Sequence, residues 1–221
     1  MKKTISLVTI IGLLVMANYV IFEPEFIKAA ATSTAITVTQ EVSQEITITQ
    51  PSNVTMSAAI PGITGNPGSP RTGSATWNVK TNNSTGFTLA IKASTAPAMQ
   101  LNATNTFSDY TPAVASTPDF DWSSPAASAA EFGYTVEAST TADTAQLFKD
   151  NGSACATGTA NAVSKCWHNA STTDVTGVDR GTNTGSGGED TIVRFQTESN
   201  AKYLQEGNYV ATITATATEK P

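Results

Sequence analysis

Histidine occurs once and cysteine twice, and charged residues make up only 14% of this 221-residue chain, against about 25% in ordinary soluble domains. Each shortage closes off some chemistry. The lone histidine, His168, leaves nucleophile-base-acid sets without partners, and no G-x-S-x-G elbow, H-E-x-x-H pair or P-loop accompanies it. Asp and Glu are numerous enough for a paired-carboxylate glycosidase, yet no spacing singles out two of them. The reading is a protein that is not an enzyme and carries no cofactor. Basic residues are equally thin: no Lys/Arg cluster follows the N-terminal segment. Phosphate binding needs such clusters, so nucleic acid is excluded as a partner. Helical periodicity is almost absent as well, which argues against helix bundles and α/β folds.

What is present begins with an export signal. Lys2 and Lys3 precede an almost wholly apolar run, Ile5 to Phe22, and Ala29-Ala30-Ala31 offers a signal peptidase small residues. Residues 1–31 therefore read as a signal peptide cleaved near Ala31. The alternative is an uncleaved membrane anchor, because the run approaches the roughly 20 residues that span a bilayer; Gly12 and Asn18 weaken it as a permanent span. No cysteine follows the run to take a lipid, and the final ATATEKP shows neither apolar tail nor sorting motif. Membrane association is thus expected only through the N-terminal segment. The remainder, from Thr32, holds 9 basic and 16 acidic residues, and its length suits one large β domain, 32–221. Thr, Ser, Ala and Asn fill the gap left by charge. β-branched Thr suits an exposed strand face.

Strict alternation is common. AITVTQ and QEITIT place Ile36/Val38 and Ile46/Ile48 on single faces. In SATWNVKTNNSTGFTLAIKAS, Ala75, Trp77 and Val79 alternate with polar residues, Asn82 to Gly86 turns the chain, and Phe87, Leu89 and Ile91 alternate again. The pattern predicts an antiparallel hairpin buried on one face. Pro61-Gly62, Pro67-Gly68 and Pro70 predict a loop. Two long excursions are expected, near 94–130, where Pro112, Pro118 and Pro125 break any long element, and near 150–190. Strands are expected at Glu131–Glu137 and Thr191–Thr197, and across EGNYVATITATATE, whose inward face is mostly alanine. Eight to ten such strands predict an all-β, antiparallel β-sandwich of Ig-like or fimbrial-like type, with a closed barrel as alternative.

These segments carry a resemblance. ATWNVKTNNSTGFTLAIKAS, FGYTVEAS, the cysteine loop ending in Cys166-Trp167 and EGNYVATITATAT resemble a group of secreted, Thr-rich β-sandwich proteins of candidate-phylum and other bacteria, over Thr34 to Glu219. More loosely, the chain is similar to WxL-type surface domains and to spore-coat or fimbrial-type sandwiches, which close on a strand of the form G-x-Y-x-A-x-(I/V). Trp77 is followed by Asn78-Val79, so the Trp-x-Leu triplet is missing and peptidoglycan binding does not carry over. The resemblance implies an exported surface or extracellular structural protein.

Cys155 and Cys166, in an exported chain, read as a disulfide closing a short loop. The chain-entropy model values such a staple at about 3 kcal/mol. The rival is a Cys166 thiol with His168 as base, two residues away on the same strand face. Asp174, Asp179, Glu189 and Asp190 lie in a Gly-rich stretch. Hard oxygen ligands on such a loop suit calcium, but the spacing fits no EF-hand or RTX repeat, and a solvated acidic loop is the plainer reading. Phe120 and Trp122, flanked by Asp119 and Asp121, read as a plug over the sandwich edge, and Trp167 as packing on or near the core; the alternative makes these three aromatics stacking surfaces for a sugar. Asn-x-Ser/Thr triplets at Asn53, Asn82, Asn83, Asn102, Asn151 and Asn169 are what this composition produces by chance. The expected function is a secreted or cell-surface structural or adhesive protein. Its expected partners are cell-envelope or host-surface glycans or neighbouring copies of itself. The alternatives are a carbohydrate-binding module and a subunit of a fimbria-like polymer built by strand addition, with the alternating segment Ala35 to Thr49 entering a neighbour's sheet edge.

Overall fold

The computed structural model describes residues 34–56 and 58–221. The signal peptide expected over residues 1–31, with cleavage near Ala31, lies outside the described residues. The chain divides into two units, Met1–Val42 and Ser43–Pro221. In the first, the described residues from Thr34 to Val42 form no regular structure and are all exposed. This corrects the strand expected at AITVTQ: Ile36 and Val38 are each 86% exposed.

The second unit is nearly all β. Its strands are β1 (Ile46–Thr49), β2 (Arg71–Thr81), β3 (Phe87–Ala93), β4 (Ser108–Asp109), β5 (Ala129–Ala138), β6 (His168–Asn169), β7 (Val175–Arg180), β8 (Glu189–Asn200) and β9 (Ile213–Glu219). Single turns of 3-10 helix occupy Thr141–Asp143 and Gln146–Phe148. One sheet runs β1-β2-β8-β5-β4, with β6 also paired to β5; the other runs β7-β3-β9. Every pairing is antiparallel except the two-residue β4–β5 contact.

Period-2 alternation decides which side chains meet. Ala75, Trp77 and Val79 of β2, Phe132, Tyr134 and Val136 of β5, and Val193 and Phe195 of β8 share one buried cluster with Phe87, Leu89 and Ile91 of β3 and Val178 of β7. The cluster is thus built from both sheets. From β9 it receives only half-buried Ile213, Ala215 and Ala217. The alanine face foreseen for this segment is present, but the strand begins at Ile213 rather than near Tyr209.

The hairpin expected between β2 and β3 is not formed. β2 pairs with β1 and β8, while β3 pairs with β7 and β9, so Asn82–Gly86 carries the chain from one sheet to the other as an arch. A hairpin and an arch have the same alternation, and the difference lies in what holds the turn. Asn82 accepts from the Glu45 amide at 2.8 Å and donates to Ser43 O at 2.9 Å, which fastens the turn to the start of β1. Asn83 donates to Gly86 O at 3.1 Å and to Lys220 O at 2.7 Å, just past β9. Gly86 adopts φ +81°, and a Cβ there would sit 2.2 Å from Arg180 O. The turn is therefore tied to other strands, not to a direct ladder between its own two.

The 150–190 stretch also differs from expectation. It contains β6 and β7, and β7 pairs along β3 through Val178↔Leu89 and Val175↔Ile91. Its two apolar residues, Val175 and Val178, are separated by Thr176 and Gly177 and followed by Asp179 and Arg180, and the glycines further along the stretch concealed the strand. Gly177 itself lies against Val136, where a Cβ would come within 2.9 Å of Cγ1.

Candidate functional site

The outer face of the larger sheet carries a set of polar and aromatic groups that pack against one another. On β5, residues Phe132 through Ala138 are all buried, although only alternate ones can face the core. The other side is covered by loops. Gly133 is central to this: a Cβ there would meet Tyr110 Cβ at 2.8 Å, His168 O at 2.9 Å and Trp122 Cζ3 at 3.1 Å. The missing side chain lets an aromatic cap lie flat on the sheet. Tyr110 and Trp122 stack with ring centres 4.3 Å apart, and Trp122 meets Trp167 edge-on at 5.5 Å.

Polar bonds fix the cap. Tyr110 Oη donates to Asp119 Oδ2 at 2.7 Å; burial, followed by the hydrogen bond to Asp119, pushes its pKa up to about 12. Trp167 Nε1 donates to Ser164 O at 3.0 Å. Trp122 Nε1 donates at 2.8 Å to Glu198 Oε2, and the Gly68 amide donates at 2.5 Å to Glu198 Oε1. Glu198 is fully buried, so its charge is compensated by these two donors. Glu131 stands directly opposite on β5. Burial and then the Glu198 charge raise its pKa above the ordinary carboxylate value.

Chemically this arrangement holds loops to a sheet. A paired-carboxylate mechanism needs both acids to reach substrate; Glu198 has no exposed surface and both its oxygens are engaged. Trp167, proposed from the sequence as a stacking surface, is only 2% exposed. Trp122 is half-buried under its contacts with Tyr110 and Trp167, and Phe120 is partly buried with Lys165 Nζ 4.6 Å from its ring centre. The three aromatics therefore form no open platform: Trp122 and Trp167 belong to the cap, and Phe120 packs against the core.

Cys155 and Cys166 form a disulfide, and both sulfur-bearing residues are buried. This removes the thiol that His168 would activate. His168 is itself 6% exposed, between Tyr134 and Phe148 at ring distances of 6.0 and 5.9 Å, with Nδ1 2.9 Å from Asn169 O. Burial lowers its pKa.

The acidic candidates for calcium are not brought together, because β7 and β8 carry them apart. Asp174 pairs with Lys92 at 3.7 Å and Asp179 with Lys220. Asp190 accepts from Asn78 at 2.7 Å. Glu189 accepts from Ser139 Oγ at 2.9 Å, the Thr140 amide at 2.7 Å and Thr140 Oγ1 at 2.8 Å. Arg180 Nη1 completes that set, donating to Glu189 Oε2 at 3.1 Å and to Asp143 Oδ2 at 2.5 Å. Among the described residues, no group of three or more His, Cys, Asp or Glu is arranged to hold a metal ion.

Sequence reasoning did not single out Arg180, Glu198 or the Glu137–Arg194 pair, which is joined at 2.8 Å. A charge inside an otherwise alternating strand was the available signal: Glu137, Arg194 and Glu198 each occupy outward positions that would be solvated if no loop covered them. Comparison with protein-family models, with curated proteins and with solved structures finds no match.

Proposed function

We propose that this chain is an exported, disulfide-stapled antiparallel β-sandwich that serves as a non-catalytic structural or adhesive component of the cell surface. One observation carries the reading: the reactive side chains are spent on holding loops to sheets. The two thiols are oxidised to a staple, which suits an oxidising compartment. Glu198, Glu189 and Glu137 are each engaged by loop or strand donors. Such investment rigidifies long loops on a small charge inventory, as an extracellular building block requires.

The test is protease shaving of intact producing cells, followed by non-reducing mass spectrometry and titration of the purified protein against cell-wall and host glycans. The expected result is surface-accessible protein, with the Cys155–Cys166 peptide linked, that binds no soluble sugar through the Trp122 cap. Protein found only inside the cell would overturn the surface reading. Micromolar glycan binding lost in Trp122→Ala would replace it with a carbohydrate-binding module.

A further inference from the structure

An open sheet edge templates pairing with other chains, and folded proteins guard it with brevity, bulges, charge, proline or a covering loop. Most edges here are guarded. β1 has four residues, and β4 and β6 have two each. β7 has a register shift against β3, carries Asp179 and Arg180, and is covered where Ala145 N donates to Gly177 O at 2.9 Å and Thr144 bridges Val178. β9 differs. Its seven residues, ITATATE, pair only with β3 without a bulge, and contain no proline or basic residue. Glu219, at the far end, is its one charge. Among the described residues, no main-chain hydrogen bond reaches the side of Ile213–Glu219 that faces away from β3.

The same side of the core is thinly covered. Ile213, Ala215 and Ala217 are half-buried, Ile48 of β1 is 40% exposed, and Ile46 beside it is only partly buried. Four of the nine large hydrophobic side chains exposed among the described residues, Ile36, Val38, Val42 and Ile48, fall within this short N-terminal stretch. Ile36-Thr37-Val38-Thr39 is an unbroken β-branched run with strand alternation, yet it forms no strand in its own chain.

We propose that the segment Thr34–Gln40 of a second copy adds as a strand to the open edge of β9. Ile36 and Val38 then lie beside Ala215 and Ala217 over the thin rim of the core. Thr37 and Thr39 extend the outward ladder of Thr214, Thr216 and Thr218, a favourable cross-strand arrangement. The segment matches β9 in length, and each copy has one donor segment and one acceptor edge. The contact is heterologous and can propagate from copy to copy. The inference rests on the structural reading above for its purpose only.

The experiment uses the full chain as recovered from producing cells, with Thr34 onward verified by mass. Sedimentation across a concentration series should show association that weakens by about 100-fold or more in Ile36→Asp/Val38→Asp, given the apolar area lost. Far-UV circular dichroism of that variant should match wild type, because the altered residues lie outside the folded strands. A chain carrying Thr37→Cys mixed with one carrying Thr216→Cys should give an intermolecular disulfide, the described chain having no other free thiol. A monomeric wild-type protein, association indifferent to the Asp pair, or a cross-link formed only within one chain carrying both cysteines would each overturn the proposal. A monomer held at the cell surface would sink strand addition alone. An assembly of the expected kind found only inside the cell would support strand addition and remove the surface reading.

Discussion

Replacing Arg180 with methionine should be among the most damaging single substitutions in the molecule. The guanidinium sits at the end of β7 with 16% of its side chain exposed; Asp143 and Glu189 beside it are 14% and 4% exposed. Glu189 begins β8 in the other sheet, so this one cation joins both sheets and the intervening 3-10 turn. Removing one partner from a buried ion pair typically costs about 3–5 kcal/mol, because the remaining charge stays buried. Glu189 keeps the Thr140 amide and the hydroxyls of Ser139 and Thr140, which places the expected loss near the lower end, about 3 kcal/mol. With a urea m-value of about 2 kcal/mol/M, the midpoint should fall by about 1.5 M. Adding Glu189→Gln to Arg180→Met should restore part of the loss, about 1 kcal/mol, since the neutral amide no longer leaves a buried charge. Urea titrations of the three proteins, read by tryptophan fluorescence, provide the measurement. A midpoint shift under about 0.5 M for Arg180→Met, or a double variant weaker than the single one, would refute the account of Arg180 as the compensating charge.

Three further outcomes are expected. Cys155→Ala/Cys166→Ala opens a loop with a sequence separation of 11 and should cost about 2–3 kcal/mol in urea denaturation; an unchanged midpoint would show that the loop is held by packing alone. Glu131 has its folded pKa raised, first by burial and then by Glu198, so its unfavourable contribution is present above that raised pKa and disappears as pH falls below the unfolded value. Glu131→Gln should therefore stabilise by roughly 0.5–1 kcal/mol near neutral pH, a gain that vanishes towards pH 3 in thermal melts; a gain that persists in acid would contradict the cause given. Gly133→Ala places a methyl 2.8 Å from Tyr110 Cβ and should cost about 1–3 kcal/mol with a red-shifted Trp122 emission; wild-type fluorescence would mean that the cap does not lie on Gly133.

Much of the fold was legible in particular residues. Trp77, Val79, Phe87 and Leu89 are all core, as their alternation required, and the staple followed from two cysteines in a chain expected to be exported. The arch between β2 and β3 was not legible, because period-2 patterning records which face is buried but not which sheet a strand joins. β7 was hidden because pairing along β3 compensates for a strand whose own apolar content is low. Ile36 and Val38 show the opposite limit: alternation marks a capacity to form a strand, and a partner edge decides whether one forms. Trp122 and Trp167 were readable as a plug and a core side chain, but not the glycine at position 133 that lets the cap lie flat on the sheet.

The arch has a consequence for how the chain is made. Because it sends β2 and β3 to different sheets, each must wait for late partners: β2 for β8, and β3 for β7 and β9. Among the long pairings only β1–β2 can close before Val175 has been synthesised. Contacts so distant in sequence make folding slow. Most of both sheets can therefore close only once β7, β8 and β9 are available, so the long N-terminal strands β2 and β3 depend on the C-terminal part of the chain for their partners.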